Sequence, residues 1–147
     1  MRVVVRRRND AVHFVAETGS GGRVPIDGAP AVGGEGLGAR PMELLLSALG
    51  GCAAIDVLGI LVKQRQTVDD LAVTVEGERS EGEPALFIRI HVHFDVSGPV
   101  DERAVARAVE LSMDKYCSVA RTLEHTAEID YSHALVRATA TPGKAPA

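Results

Sequence analysis

Apolar positions in this chain follow two patterns. Between residues 40 and 66, RPMELLLSALGGCAAIDVLGILVKQRQ, they are nearly continuous. Leu44, Leu45, Leu46, Ala48, Leu49, Ala53, Ala54, Ile55, Val57, Leu58, Ile60, Leu61 and Val62 cover every side of a helix, which predicts a helix buried nearly all round. Pro41 suits its first position, where a missing N–H leaves nothing unpaired. Gly50, Gly51 and Gly59 interrupt it; in a helix interior they suggest close approach of a backbone or a small reactant, or simply tight helix packing. The second pattern is alternation. In residues 71–79, Leu71, Val73 and Val75 alternate with Ala72, Thr74 and Glu76. In residues 85–96, Leu86, Ile88, Ile90, Val92, Phe94 and Val96 alternate with Phe87, Arg89, His91, His93 and Asp95. Period two predicts strands, and SEGEP between them predicts a hairpin with one apolar and one polar face.

The flanks complete the picture. Residues 3–7 and 12–17 read as a hairpin turning at Asn9-Asp10, and residues 23–26 as a third short strand. DGAPAVGGEGLGAR, residues 27–40, has no period and reads as an irregular loop; no Lys-Ser/Thr follows GGEGLG, so it is not a P-loop. Asp101, as N-cap or first-turn acid, opens a second helix with Val105, Ala108, Val109 and Met113 on its inner face, ending near Tyr116. Residues 119–126 predict a short helix capped by Ser118, and residues 127–133 a last strand. The tail ATATPGKAPA predicts disorder, leaving residues 1–137 as one domain. Partly segregated strands and helices make the fold class α+β with antiparallel sheet.

Composition narrows the function. A net charge of −4 with 16 basic and 20 acidic residues argues against nucleic acid and anionic membranes. Aromatic content of 3 % with no Trp leaves no base-stacking platform. The central helix has the length of a membrane span, but Asp56 lies in its middle, so a soluble protein is expected. MRVVVRRRND lacks the apolar segment of a signal peptide, and the expected location is cytoplasmic. His91 and His93 share the polar strand face but have no third ligand nearby in sequence, so no metal site and no cofactor are expected.

Two cysteines in a reducing compartment are free thiols or a redox pair. Cys52 and Cys117 are far apart in sequence, and spacing leaves open whether they meet. As buried hydrophobes they would be inert. As a reactive pair, Cys52 would attack a peroxide O–O bond and Cys117 would condense with the resulting sulfenic acid. Cys117 falls at a predicted helix N-terminus, where the dipole favours a thiolate. A reactive Cys52 needs a nearby cation, for which Arg23, Arg40 and Arg121 are candidates, and Glu43 could orient it.

PMELLLSALGGCAAID, together with KYCSVARTLE, resembles the OsmC/Ohr family of thiol-dependent peroxide-reducing proteins, and the similarity runs from GSGGRVPIDG to EIDYS. The resemblance is strongest to an OsmC-like branch whose helix reads P-M-E and then G-G-C. It implies an intertwined homodimer in which antiparallel sheets wrap two long central helices. It implies a peroxidatic Cys52, a resolving Cys117, and Arg23 as the arginine set against the thiolate. The implied partners are an organic hydroperoxide and an external dithiol reductant. In better-known members an acid directly follows the helix-opening proline; here that position is Met42, and Glu43 comes about 100° further round the helix. The alternatives are a non-catalytic small-molecule binder or thiol-based sensor on the same fold, and a structural stress protein with core cysteines.

Overall fold

The computed structural model describes residues 1–136. The segment for which disorder was expected, residues 138–147, lies outside them. The chain divides into two compact units, one up to Leu45 and one from Leu46 onward.

The first unit holds the antiparallel sheet β1 (Val3–Arg7), β2 (Phe14–Thr18) and β3 (Arg23–Ile26), in that order. Asn9 makes the first turn as its type predicts: its side-chain oxygen accepts the N–H groups of Ala11 and His13, both at 3.1 Å. The loop after β3 is better organised than its composition suggested. Pro30–Val32 forms a 3₁₀ turn, and Asp27, buried, accepts backbone N–H groups from Gly28 at 2.8 Å and from Glu35 and Leu37 at 2.9 Å. Gly34 has no alternative there, since a Cβ would stand 1.9 Å from the Gly28 carbonyl oxygen.

The N–H groups of Leu37, Glu35 and Gly28 outweigh desolvation and hold the Asp27 carboxyl below its ordinary value. A depressed carboxylate pKa contributes stability that is present above the unfolded-state value and lost as pH falls through the folded one. Slow amide exchange at Glu35 and Leu37 is therefore expected near neutrality and should collapse below about pH 4. Asp27→Asn, which puts an NH2 where an acceptor stood, should speed that exchange at all pH values and flatten its acid dependence. Unchanged protection in the variant would remove Asp27 as the organiser of the loop.

The long helix α1 (Pro41–Lys63) opens with Pro41, and the Arg40 N–H donates to Glu43 Oε2 at 2.9 Å, half of a capping box. It ends in a Schellman turn: Arg65 takes the left-handed φ of 60°, Gln66 N–H reaches Leu61 and Arg65 N–H reaches Val62. Leu49, Ala53, Val57 and Leu61, spaced four apart, are fully buried. The opposite side is not: Ile55 is 74 % exposed and Val62 63 %. The expectation of burial all round thus fails within one chain, because one small sheet can cover only one side of a helix. Of the three glycines read together as marking close packing, Gly50 stands at one, where a Cβ would meet the Val75 side chain at 3.0 Å. Gly51 and Gly59 lie on the open side with nothing near them.

The second unit's sheet runs β4 (Asp70–Arg79), β5 (Phe87–Ser97) and β6 (Glu128–Leu135). The β4–β5 hairpin is antiparallel, as predicted. β6 is parallel to β5, with Ile90 opposite Ile129 and Val92 opposite Tyr131, which corrects the expected all-antiparallel sheet. The helices between β5 and β6 carry the chain back to the starting end, which is what a parallel pair requires. The alternation of β5 also breaks at its start. A bulge at Glu78/Arg79 slips the register, so Phe87 is buried while Leu86 and Ile88 are exposed. Beyond it Ile90, Val92, Phe94 and Val96 point into the core as read.

Between the strands lie α2 (Glu102–Leu111), a π-helical turn at Ser112–Tyr116, and α3 (Ser118–Leu123). Asp101 caps α2 by accepting the N–H groups of Arg103 at 2.9 Å and Ala104 at 3.0 Å. The cap of α3 is Cys117, one residue before the expected Ser118.

Candidate thiol site

The π turn determines where Cys117 goes. The Cys117 N–H bonds to the Ser112 carbonyl at 2.8 Å, five residues back, and this wider turn carries the chain from α2 into α3. Two side chains pin the turn. Ser112 Oγ donates to the Ala53 carbonyl at 3.4 Å, tying it to α1 beside Cys52, and the Tyr131 hydroxyl donates to the Asp114 carboxylate at 3.0 and 3.1 Å. Burial foremost, with Asp114 behind it, pushes the Tyr131 hydroxyl pKa up, so that proton stays on the phenol and in the bond.

Cys52 therefore meets Cys117. The sulfurs of Cys52 and Cys117 and a carboxylate oxygen of Asp56 all lie within 4.8 Å of one another. Cys52 is half-buried and Cys117 fully buried. Cys117 Sγ accepts the Ala120 N–H at 3.5 Å. Burial nevertheless dominates and pushes the Cys117 thiol up to about 11, with the adjacent Cys52 adding to the rise and the N–H groups of Ala120 and Val119 opposing it. The helix terminus does pull toward a thiolate, as sequence suggested, but desolvation wins.

Asp56 is the member that sequence reasoning passed over, treating it only as an obstacle to a membrane span. It sits four residues after Cys52, one turn along the same helix face, which is the signal that could have found it. Its Oδ2 is shut off from solvent and meets no hydrogen-bond donor. Asp56 also lines an open, largely apolar cleft of about 590 Å³ with Ile55, Ile60, Leu111 and Tyr116, to which Lys63 and Gln64 add polar groups.

Arg23 opens β3, exposed, in register with Glu17, and Glu43 caps the start of α1; both belong to the first unit. Arg121 pairs with Glu124 at 2.7 Å and donates to the Met113 carbonyl at 3.2 Å. His91 and His93, read as lying on a solvated polar face, form a hydrogen-bonded chain across it. Both rings contact Ser132 Oγ, at 2.8 and 2.7 Å, and their outer nitrogens face Asp130 and Asp95.

An α+β fold whose long apolar helix holds one cysteine against a second at a short helix's cap defines a class of two-thiol proteins. The chain belongs to the OsmC family: the model of that family, described as OsmC-like protein, matches residues 34–132. It is 44 % identical over 135 residues to protein YhfA of Escherichia coli, covering 88 % of this chain and 94 % of that one. The crystal structure of a hypothetical protein from Aquifex aeolicus is 32 % identical with a TM-score of 0.80, covering 94 % of this chain and 97 % of that one. An organic hydroperoxide resistance protein from Legionella pneumophila shares the fold at a TM-score of 0.68 and 14 % identity, over 92 % and 98 % of the two chains. α1, which by length and composition could cross a membrane, is the central helix of this fold, with its buried face in the core.

Proposed function

We propose that this protein reduces organic hydroperoxides with its own two thiols. The observation that carries the reading is the meeting of Cys52 and Cys117, remote in sequence, with Cys52 half-buried and Cys117 fully buried. The Cys52 thiolate attacks the outer oxygen of the hydroperoxide; the O–O bond breaks and the alkoxide takes a proton and leaves as the alcohol. Cys52 is then a sulfenic acid. The Cys117 thiol attacks its sulfur, water departs, and an S–S bond forms, which an external dithiol reopens by exchange. The raised Cys117 pKa fits this order, since a buried, protonated thiol does not compete for the first attack. The apolar walls beside Asp56 suit the organic group of the substrate.

Family membership and the Legionella relative support peroxide chemistry. Arg23 is the cation we assign to Cys52, on its Gly21-Gly22-Arg23 setting, and Glu43 the acid that would orient it. The open side of α1 supports a homodimer, and free thiols fit the cytoplasm. The test is mass spectrometry of the reduced chain after one equivalent of an organic hydroperoxide without reductant. A loss of two hydrogens with a Cys52–Cys117 cross-link is expected; two intact thiols would sink the proposal. The cleft also favours a second reading, a binder or redox sensor on the same fold. It predicts a disulfide that forms once and does not turn over with dithiols.

A further inference from the structure

Asp56 has no part in the peroxide chemistry described above, yet one of its carboxylate oxygens lies within 4.8 Å of both sulfurs, and its Oδ2 is buried and unsatisfied. A carboxylate oxygen cut off from water and from every donor is costly to leave so. We propose that Cys52, Asp56 and Cys117 form a binding site for a soft divalent cation of the zinc class, occupied in the reduced protein. This goes beyond the peroxide reading and needs no peroxide.

The donor set is the first argument. Two thiolates with a carboxylate suit zinc, whereas hard cations such as magnesium or calcium prefer oxygen throughout. Geometry is the second. With zinc–sulfur bonds of about 2.3 Å and zinc–oxygen bonds of about 2.1 Å, tetrahedral ligand atoms stand roughly 3.5–3.8 Å apart. The three donor atoms lie within 4.8 Å of one another, so small side-chain rotations would close them on one ion. The third argument is support. Cys52 and Asp56 project from one face of α1, and Cys117 is held at the cap of α3 by the π turn and the Ala120 N–H. Three protein ligands leave a fourth position for water or a small ligand, and Cys52 is half-buried, which gives access to it. Binding expels the two thiol protons to solvent. A Cys52–Cys117 disulfide would remove both sulfur donors, so the oxidised chain should take up no metal.

The experiment is titration of the reduced full-length chain with Zn2+ against a chromophoric chelator, with Co2+ as a spectroscopic probe. One ion per chain is expected, and cobalt should show near-ultraviolet thiolate-to-metal charge transfer. Cys52→Ser or Cys117→Ser should each weaken binding by roughly 100-fold or more, and Asp56→Asn by roughly 10-fold while keeping the charge-transfer band. In the wild-type chain zinc should protect both thiols from alkylation, a readout that needs no variant to fold. No uptake, or affinity indifferent to Asp56→Asn, overturns the site. The peroxide reading fails separately: metal uptake without hydroperoxide-driven disulfide would leave this site and remove that function.

Discussion

Replacing Cys52 by serine should cut hydroperoxide consumption by at least about 1,000-fold, because a serine hydroxyl at neutral pH cannot replace a thiolate at the O–O bond. Cys117→Ser should behave differently. The first attack survives, and the chain should stop after one turnover as a sulfenic acid on Cys52, trapped by a sulfenic-acid reagent. A serine hydroxyl can cap α3 as the Cys117 sulfur does, so loss of the resolving thiol rather than of the helix should account for the result. Arg23→Ala in the same series should slow alkylation of Cys52 and move its pH profile upward. Equal peroxide consumption in wild type and both cysteine variants would end the catalytic assignment. An unchanged alkylation profile would remove Arg23 alone.

The second large effect concerns the uncovered side of α1. Ile55, Leu58 and Val62 are 74 %, 43 % and 63 % exposed, a poor state for aliphatic side chains so close together. Gly51 and Gly59 stand four residues either side of Ile55 and have open space where a Cβ would be, so a second helix could approach closely. Burying such side chains is worth about 1.5–3 kcal/mol each, and a two-fold axis would count each of them twice. Ile55→Asp should therefore raise the dimer dissociation constant by at least about 1,000-fold, through lost burial and two desolvated carboxylates. Sedimentation equilibrium checks this: wild type at twice the chain mass, the variant at one. Wild type at the mass of one chain would refute the dimer itself.

The two expectations that failed most plainly did so for one reason. The apolar run of residues 44–62 says that water must be kept from this helix; it does not say what does so. In a single chain only the stripe through Leu49, Ala53, Val57 and Leu61 is covered, with Val75 of β4 beside Gly50 and Ser112 of the π turn against Ala53. Likewise Leu86 and Ile88 fit the alternation of β5, and the pattern holds no trace of the bulge that turns them outward. A register slip depends on the partner strand, and periodicity within one strand does not see it.

Local chemistry was enough for much of the rest. Pro41 opening α1, Asn9 making the first turn, Asp101 capping α2 and the β4–β5 hairpin are effects of a few neighbouring residues, and the sequence determined them by itself. The family was legible in the same way, from two motifs around Cys52 and Cys117. Tertiary structure decided what depends on residues remote in sequence. It set Cys117 against Cys52 through a π turn fastened to Ala53, and it returned β6 parallel to β5. It brought Asp56 into reach of both sulfurs and left its Oδ2 without a donor. It also reversed the balance at Cys117, where the helix end favours a thiolate but burial, which comes only from packing, holds the proton on.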